Sequence, residues 1–568
     1  MYTNDRTTQI LISILKSYKI NKIIASPGTT NMFFVGSIQD DDFFQIYSAP
    51  DERSAAYMAC GLSAESGEPV VVTCTGATAS RNYMPGLTEA YYRKLPILSI
   101  TGTEGDMYIG NLKPQVIDRT CPPNDVVKHS VSISRIVDEK QEWPVRLAIN
   151  KAISELFRDG GGPVNITLQT GAAPFKTSDL PSCKVIRRIF NDFEQTPQIP
   201  DGRVAIFCSS HKPFTSDEEF LIDDFCRCYN AVVFCDHTSS YNGEFRIDSA
   251  ILACQDNKRV DLLSPDLLIH IGEVSGEYYT QNSLCPREVW RVSLDGEMRD
   301  LFKSLTFVFE MGESIFFKHY SSNSNSNSNY YKECKFARDE LTSKIPDLPF
   351  GSIWIAQQLH NKMPSGSSIH FGILNSLRSW NFFTVDKSIT TSCNVGGFGI
   401  DGPISTCLGA SLVNPNKLYY LVVGDLAFFY DMNSLGNRHL NNNIRILLIN
   451  NGHGTEFSNY DHPASQFGEN VDRFIAAGGH YGRKSNYLVK HYAEDLGFSY
   501  LFASTKEEFL QTYNTFVNAE VTDKPILFEV FTNAEDESNA LFKIRNINQR
   551  GTTLLKKAKN IVKRIVEE

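Results

Sequence analysis

Short apolar strand patterns alternate with helix patterns along most of this chain, and that rhythm admits few folds. Thr7–Tyr18 carries apolar residues at helical spacing, and Lys22–Ala25 is a short apolar strand ending in the turn Ser26-Pro27-Gly28. Ser54–Ala64 is a small-residue helix, and Pro69–Thr73 is a β-branched run suited to a buried strand. Asn82–Tyr92 again predicts a helix, and Leu95–Thr101 a strand. Strands that follow helices in this way pair in parallel, with helices on both faces of the sheet. A Pro-rich polar stretch near 175–200 separates a second set of strands: Val204–Cys208, Ala231–Cys235, Leu267–Gly272 and Trp290–Ser293. A third pattern starts near Ile353, with strands at Ser368–Phe371, Tyr419–Val423, Ile444–Ile449 and Ile526–Val530. The expected architecture is three consecutive open parallel-sheet α/β domains, at 1–175, 195–320 and 346–568. A flexible polar linker is expected at 321–345, beginning with the low-complexity Ser321–Asn329. No close internal sequence repeat is found.

Composition narrows the class. Of 568 residues, 21% are charged and 42% hydrophobic, which excludes a disordered chain, a collagen and a coiled coil. No apolar run approaches the roughly 18 residues of a membrane span. The first twenty residues lack a basic segment before an apolar one, so no signal peptide is expected. The net charge of −10 argues against nucleic acid as a partner. Thirteen cysteines without zinc-ligand spacing fit reduced, mostly buried thiols in a cytoplasmic protein.

The strongest chemical signal lies in the third block. The strand Tyr419–Val423 runs into Gly424-Asp425, and the strand through Ile449 runs into Asn450-Asn451-Gly452. An acid and an amide thus sit at the ends of two strands, 26 positions apart (425 to 451). Open α/β sheets bind ligands at such strand ends. Asp and Asn oxygens suit Mg²⁺, which with few protein ligands also takes phosphate oxygens and water. Gly424 lets a diphosphate approach the backbone. The bland alternative is a pair of turns closing two strands. A second alternative is a dinucleotide site, because Gly397-Phe398-Gly399-Ile400-Asp401-Gly402 matches G-x-G-x-x-G. Its preceding segment is a poor buried strand and Pro403 follows at once, so it is set aside.

The Gly-Asp and Asn-Asn pair resembles the signature of thiamine-diphosphate-dependent enzymes of the acetolactate synthase and pyruvate decarboxylase type. An independent match lies in the first block, where Asp51-Glu52-Arg53-Ser54 precedes AAYMACGLSAESG and the strand PVVVTCTG. The resemblance covers nearly the whole chain, as pyrimidine-binding, central and diphosphate-binding domains. It implies Mg²⁺ on Asp425, Asn451 and the carbonyl of His453, with Gly76, Gly424, Leu426 and Gly454 also against the cofactor. Glu52 would bond N1′ of the aminopyrimidine and so activate the cofactor. Ile400 falls at the position of the residue that props the cofactor in its bent shape, and Gln115 at a glutamine near the reacting carbon. The family implies a homodimer or homotetramer with the site at the subunit interface. FAD is not expected.

Within the superfamily, CNVGGFGIDGPISTCLG, VVGDLAFFYDMNSL and EVFTNAEDESNAL look most similar to 2-succinyl-5-enolpyruvyl-6-hydroxy-3-cyclohexene-1-carboxylate synthases. Those enzymes hold their substrate carboxylates with arginines, and several of these are replaced here. Pro-Gly-Ser-Arg-Ser reads Pro27-Gly28-Thr29-Thr30-Asn31, and Asn-Arg-Gly reads Asn394-Val395-Gly396. Asp-Arg-Pro reads Thr103-Glu104-Gly105, Ile-Phe-Ser reads Glu456-Phe457-Ser458, and a further arginine position holds Trp380, with Arg378 two residues before it. Thr29, Gln115, Arg378, Trp380 and Glu456 are therefore the substrate-side candidates. The expected reaction is decarboxylation of a 2-oxo acid, pyruvate favoured, and ligation of the resulting enamine to an aldehyde, ketone or activated alkene, such as a sugar. The alternatives are a non-ligating decarboxylase, a 2-oxoglutarate carboligase of the menaquinone type with a rearranged carboxylate site, and a non-catalytic binding protein on the same scaffold.

Overall fold

The computed structural model describes residues 1–190, 196–321, 329–479 and 485–548. They form two compact units. The first comprises Met1–Thr196 with Asp295–Glu310, and the second Pro197–Leu294 with Met311–Glu568.

The first unit is built on a six-stranded, wholly parallel sheet. Its strands lie in the order Gln45–Ser48, Lys22–Ala25, Val70–Thr75, Ile97–Thr103, Val164–Gln169, His129–Ile133. Alternate side chains feed two cores, as the pleat requires. Val71 packs with Ile10, Ile14, Ile149 and Ile153 of the helices Arg6–Ser17 and Glu142–Glu155. Val70 and Val72 pack on the other face with Ala55, Ala56, Ala59, Leu87 and Ala90 of the helices Glu52–Ser66 and Met84–Arg93. The small residues are needed there: a side-chain carbon at Gly86 would stand 2.5 Å from the Ala56 Cβ.

The second unit carries two parallel arrangements. One runs Arg246–Asp248, Val232–Cys235, Val204–Cys208, Leu267–Ile271, Glu288–Ser293. The other runs Thr390–Cys393, Ser368–Phe371, Tyr419–Gly424, Ile444–Asn450, Ile526–Phe531, Ser499–Ala503. Numbered along the chain, this sheet and that of the first unit share the order 2-1-3-4-6-5. The chain thus holds two copies of one topology without a close sequence repeat. In each, the first and third strands are neighbours whose crossovers leave in opposite directions. Their carboxyl ends flank the crevice where open α/β sheets take ligands.

One expectation needs correction. Much of the stretch expected as a flexible linker is helix, Tyr330–Ser343, because Tyr330, Cys334, Ala337 and Leu341 recur at helical spacing and are buried. The centre of the Ser/Asn run, 322–328, lies outside the described residues. The segment before the glycine-rich Gly397–Gly402 forms the edge strand Thr390–Cys393, half-exposed, in keeping with a sequence poorly suited to a buried strand. Among the described residues no helix is long and apolar enough to cross a membrane, and no cysteine is disulfide-bonded.

Candidate active site

The third-block motif sits at the crevice of its sheet. The strand Tyr419–Gly424 ends at Gly424, and the helix Asp425–Asp431 begins at once. Asp425 is 4% exposed. Its Oδ1 accepts the N–H of Leu426 at 2.8 Å, and its Oδ2 accepts that of Gly452 at 2.6 Å. Gly424 is level with Ile449 on the neighbouring strand, so Asp425 meets the turn after Asn450 directly. Gly452 has φ +81°, a conformation that strains any residue with a Cβ. The loop closes on itself: the N–H of His453 reaches Asn451 Oδ1 at 3.4 Å, Thr455 Oγ1 donates to the His453 carbonyl at 3.5 Å, and the N–H of Gly454 donates to the Ala476 carbonyl at 2.6 Å. His453 Nδ1 lies 3.0 Å from Asp472 Oδ1.

The support beneath this loop is polar. Asp431, also buried, accepts from the N–H of Ser405 at 2.6 Å and from the Ser434 hydroxyl at 2.6 Å. This ties the end of the helix Asp425–Asp431 to the segment after the glycine-rich turn. Glu529 on the strand Ile526–Phe531 accepts from Asn450 Nδ2 and from the Tyr500 hydroxyl, each at 2.7 Å. Burial raises its pKa against the pull of those two donors, and the charge of Asp425 adds to the rise. Glu529 was not anticipated from the sequence. The signal was available, since an acid inside the apolar run ILFEVF must find partners when buried.

The donor set suits a hard cation: one carboxylate, one amide oxygen and a backbone carbonyl. Among the described residues no group of three or more His, Cys, Asp or Glu side chains converges, so the remaining oxygens for such an ion would come from its ligand and water. The backbone is open at three glycines of this region. A side-chain carbon at Gly424, Gly396 or Gly397 would meet no atom within 4 Å. Leu426 and Ile400 are half-buried beside this opening's elements, and Ile400 packs against the core that holds Ile404 and Phe428.

The other cofactor candidates lie in the first unit. Asp51 caps the helix Glu52–Ser66 by accepting the N–H of Arg53 at 3.0 Å, which places Glu52 in the first turn. Glu52 is half-buried and accepts from Asn82 Nδ2 at 3.3 Å. Thr30 and Gly76 hold the crevice. Thr30 Oγ1 donates to the Gly102 carbonyl at 2.7 Å, lies 2.5 Å from Thr75 Oγ1 and accepts the N–H of Gly76 at 3.3 Å. Thr29 beside it is exposed. Non-glycine residues with positive φ gather at these strand ends: Ala77 (+61°), Gln115 (+63°) and, in the second unit, Leu374 (+65°). Such strain persists where the surroundings over-determine it, often at ligand sites. Gln115 is exposed and reaches no core.

The substrate-side expectations divide. Arg378 is not a free cation: its Nη2 donates to Glu456 Oε2 at 2.7 Å and its Nη1 to Asn375 Oδ1 at 3.1 Å, and the side chain is 6% exposed. Its guanidinium lies 4.9 Å from the Tyr278 ring centre. Burial lowers the Arg378 pKa, but Glu456 and Tyr278 outweigh it and hold it above the ordinary value. Glu456 and Arg378 were therefore expected as separate substrate contacts but are partners of each other. Trp380 is core, at 1% exposure against Phe371. It is buried because the helix Asn375–Asn381 turns that face inward, where His237 Nε2 contacts the Trp380 carbonyl at 2.9 Å.

Known proteins give this geometry its context. Residues 5–120 match the thiamine pyrophosphate enzyme N-terminal TPP-binding domain. Three similar proteins bear the name 2-succinyl-5-enolpyruvyl-6-hydroxy-3-cyclohexene-1-carboxylate synthase. They come from Phocaeicola vulgatus (28% identical), Bacteroides thetaiotaomicron (29%) and Bacteroides fragilis (28%). Each likeness covers 95% of this chain and 98% of the relative. The matched domain carries Glu52 and Gly76, and the likeness runs through both units, consistent with a thiamine-diphosphate-dependent superfamily member similar to these synthases.

Proposed function

We propose that this enzyme decarboxylates a 2-oxo acid with thiamine diphosphate and Mg²⁺ and ligates the remaining fragment to a carbonyl or activated-alkene acceptor. The observation that carries the reading is the grip of Asp425 on the Gly452 N–H at the ends of two adjacent strands. That contact fixes an oxygen-rich loop where a metal-bound diphosphate would rest. Asp425, Asn451 and the His453 carbonyl hold the ion, and Gly424, Leu426 and Gly454 lie along the diphosphate. Glu52 holds the proton at N1′ of the aminopyrimidine, and Ile400 supports the cofactor's fold. Bound there, the cofactor supplies a carbanion at C2 and an electron sink for the departing CO₂. Gln115, exposed on a strained loop, orients the substrate carbonyl.

The donor follows from the Arg378–Glu456 pair. A guanidinium already neutralised by an internal carboxylate has little to offer a substrate's distal carboxylate, so a small donor such as pyruvate is favoured. A second reading, a 2-oxoglutarate carboligase of the menaquinone type, is supported by the full-length likeness to proteins of that name. Exposed Tyr57 and Met58 on the helix that begins with Glu52 support an interface there, and with it a homodimer or homotetramer. The test is CO₂ release by purified protein with thiamine diphosphate and Mg²⁺, with pyruvate or 2-oxoglutarate, with and without an aldehyde acceptor. Release from pyruvate that yields a ligated product supports the first reading. Release from 2-oxoglutarate alone supports the second, and release without any ligation makes the protein a decarboxylase.

A further inference from the structure

The edge strand His129–Ile133 has an unusual face. Parallel sheets are normally apolar on both sides. Here Val131 and Ile133 join the core on one side, while Ser130 and Ser132 face the other, with Ser132 level with Thr167 on the next strand. Together with Thr120 these hydroxyls line a solvent-open cleft of about 70 Å³. Arg119 stands in its wall. Its Nη1 reaches the Ser80 hydroxyl at 3.4 Å, and its Nε is sealed from solvent with no hydrogen-bond partner. Among the described residues Arg119 forms no ion pair, although Asp106 lines the same cleft. Ser132 Oγ is likewise sealed and without a partner. Ser130 Oγ accepts from Asn165 Nδ2 at 3.1 Å, which leaves its proton free to donate.

Donors left unspent in a half-buried site cost free energy unless a ligand takes them up. A guanidinium fork beside hydroxyl donors matches a carboxylate. The charge of Asp106 opposes a dianionic phosphate more than a monoanion, and its oxygens can accept from a hydroxyl on the ligand. The cleft also adjoins the chemistry: a side-chain carbon at Gly76 would lie 3.1 Å from Arg119 Nη1 and 3.1 Å from the Gln115 carbonyl.

We propose that this cleft is a carboxylate subsite for a substrate of the enzyme, anchored by Arg119 and lined by Ser130 and Ser132. The assignment of the ligand as a substrate rests on the thiamine-diphosphate reading above. It moves substrate-carboxylate recognition from the arginine positions replaced in this chain to the loop that carries Gln115.

The test begins with full-length protein without cofactor and calorimetric titration with succinate, succinamide and inorganic phosphate. Succinate should bind more tightly than either of the others. Arg119→Gln should weaken it at least about tenfold, the loss of a charged hydrogen bond, and Arg119→Lys less. Ser132→Ala should weaken it about threefold and serves if Arg119→Gln does not fold, with circular dichroism as the check. Equal succinate affinity in parent and variants, or preference for phosphate, overturns the subsite. Turnover then separates the sources. A raised KM for 2-oxoglutarate with kcat kept places the carboxylate on the donor. A raised KM only for a carboxylate-bearing acceptor, with pyruvate as donor, places it on the acceptor. If neither KM moves, the cleft is not a substrate site. Failure of the thiamine reading looks different: no CO₂ from any 2-oxo acid, with succinate binding unchanged.

Discussion

Replacing Glu456 by Gln should strain the second unit measurably, because it strips the counter-charge from a guanidinium that water barely reaches. Arg378 is 6% exposed and its Nη2 lies 2.7 Å from the Glu456 carboxylate, which is itself 18% exposed. At that separation and an effective dielectric of about 20, the gross attraction is about 6 kcal/mol. Desolvation of both groups offsets much of it, and breaking such a pair by removing one partner costs about 3–5 kcal/mol. Two contacts soften the loss: the amide can still accept one hydrogen bond, and the Tyr278 ring stays under the cation at 4.9 Å. The expected destabilisation is therefore about 2–3 kcal/mol. Urea unfolding followed by tryptophan fluorescence reads it, and a cycle with Arg378→Met and the double variant isolates the pair. The coupling should be about 2 kcal/mol and nearly independent of salt, since a buried pair is weakly screened. A Glu456→Gln protein within about 0.5 kcal/mol of the parent would refute the view that Glu456 neutralises a buried Arg378. A coupling that vanishes in salt would place the pair at the surface.

Other expectations follow from the same geometry. Glu52→Gln should abolish turnover while retaining thiamine diphosphate affinity within a few-fold, measured by calorimetry; near-normal turnover would remove Glu52 from the mechanism. Asp425→Ala should lower cofactor affinity at least about tenfold in the presence of Mg²⁺, and an unchanged affinity would contradict the metal assignment. His370, 8% exposed, has its pKa pushed down to about 4, first by burial and then by Lys417. Its neutral form is the one the fold holds, so its contribution is complete above about pH 6.5 and is lost as pH falls through 4, about 3 kcal/mol in all. A His370→Asn variant should flatten that part of the urea-midpoint profile between pH 7 and 4; an identical slope in parent and variant would exclude it.

Much of the fold is legible in the chain because parallel strands buried on both faces must be apolar throughout. Val70–Thr75, Tyr419–Gly424 and Ile444–Asn450 stand where their residues predict. Edge strands are less legible: Gln45–Ser48 and Thr390–Cys393 are polar and half-exposed, so neither periodicity nor hydrophobicity marks them. The shared strand order of the two six-stranded sheets is not readable at all from sequences that have diverged. At the site, Asp425 and Asn451 are visible because each ends a strand that periodicity defines. The substrate side is hidden because it depends on which loop residues meet. Arg378 and Glu456 are 78 positions apart and nothing local announces their pairing. Arg119 lies in a loop without periodicity, four residues beyond Gln115, and only the fold sets it against Ser132. At Trp380 the flanking motif predicts a pocket residue, yet helix geometry turns it into the core.

The measurement that bears most directly on the central claim is CO₂ release from pyruvate by the purified protein, with thiamine diphosphate and Mg²⁺ added singly and together. Release that requires both and disappears in Glu52→Gln is the expected result. Release from neither pyruvate nor 2-oxoglutarate, in a protein that binds the cofactor, would contradict it.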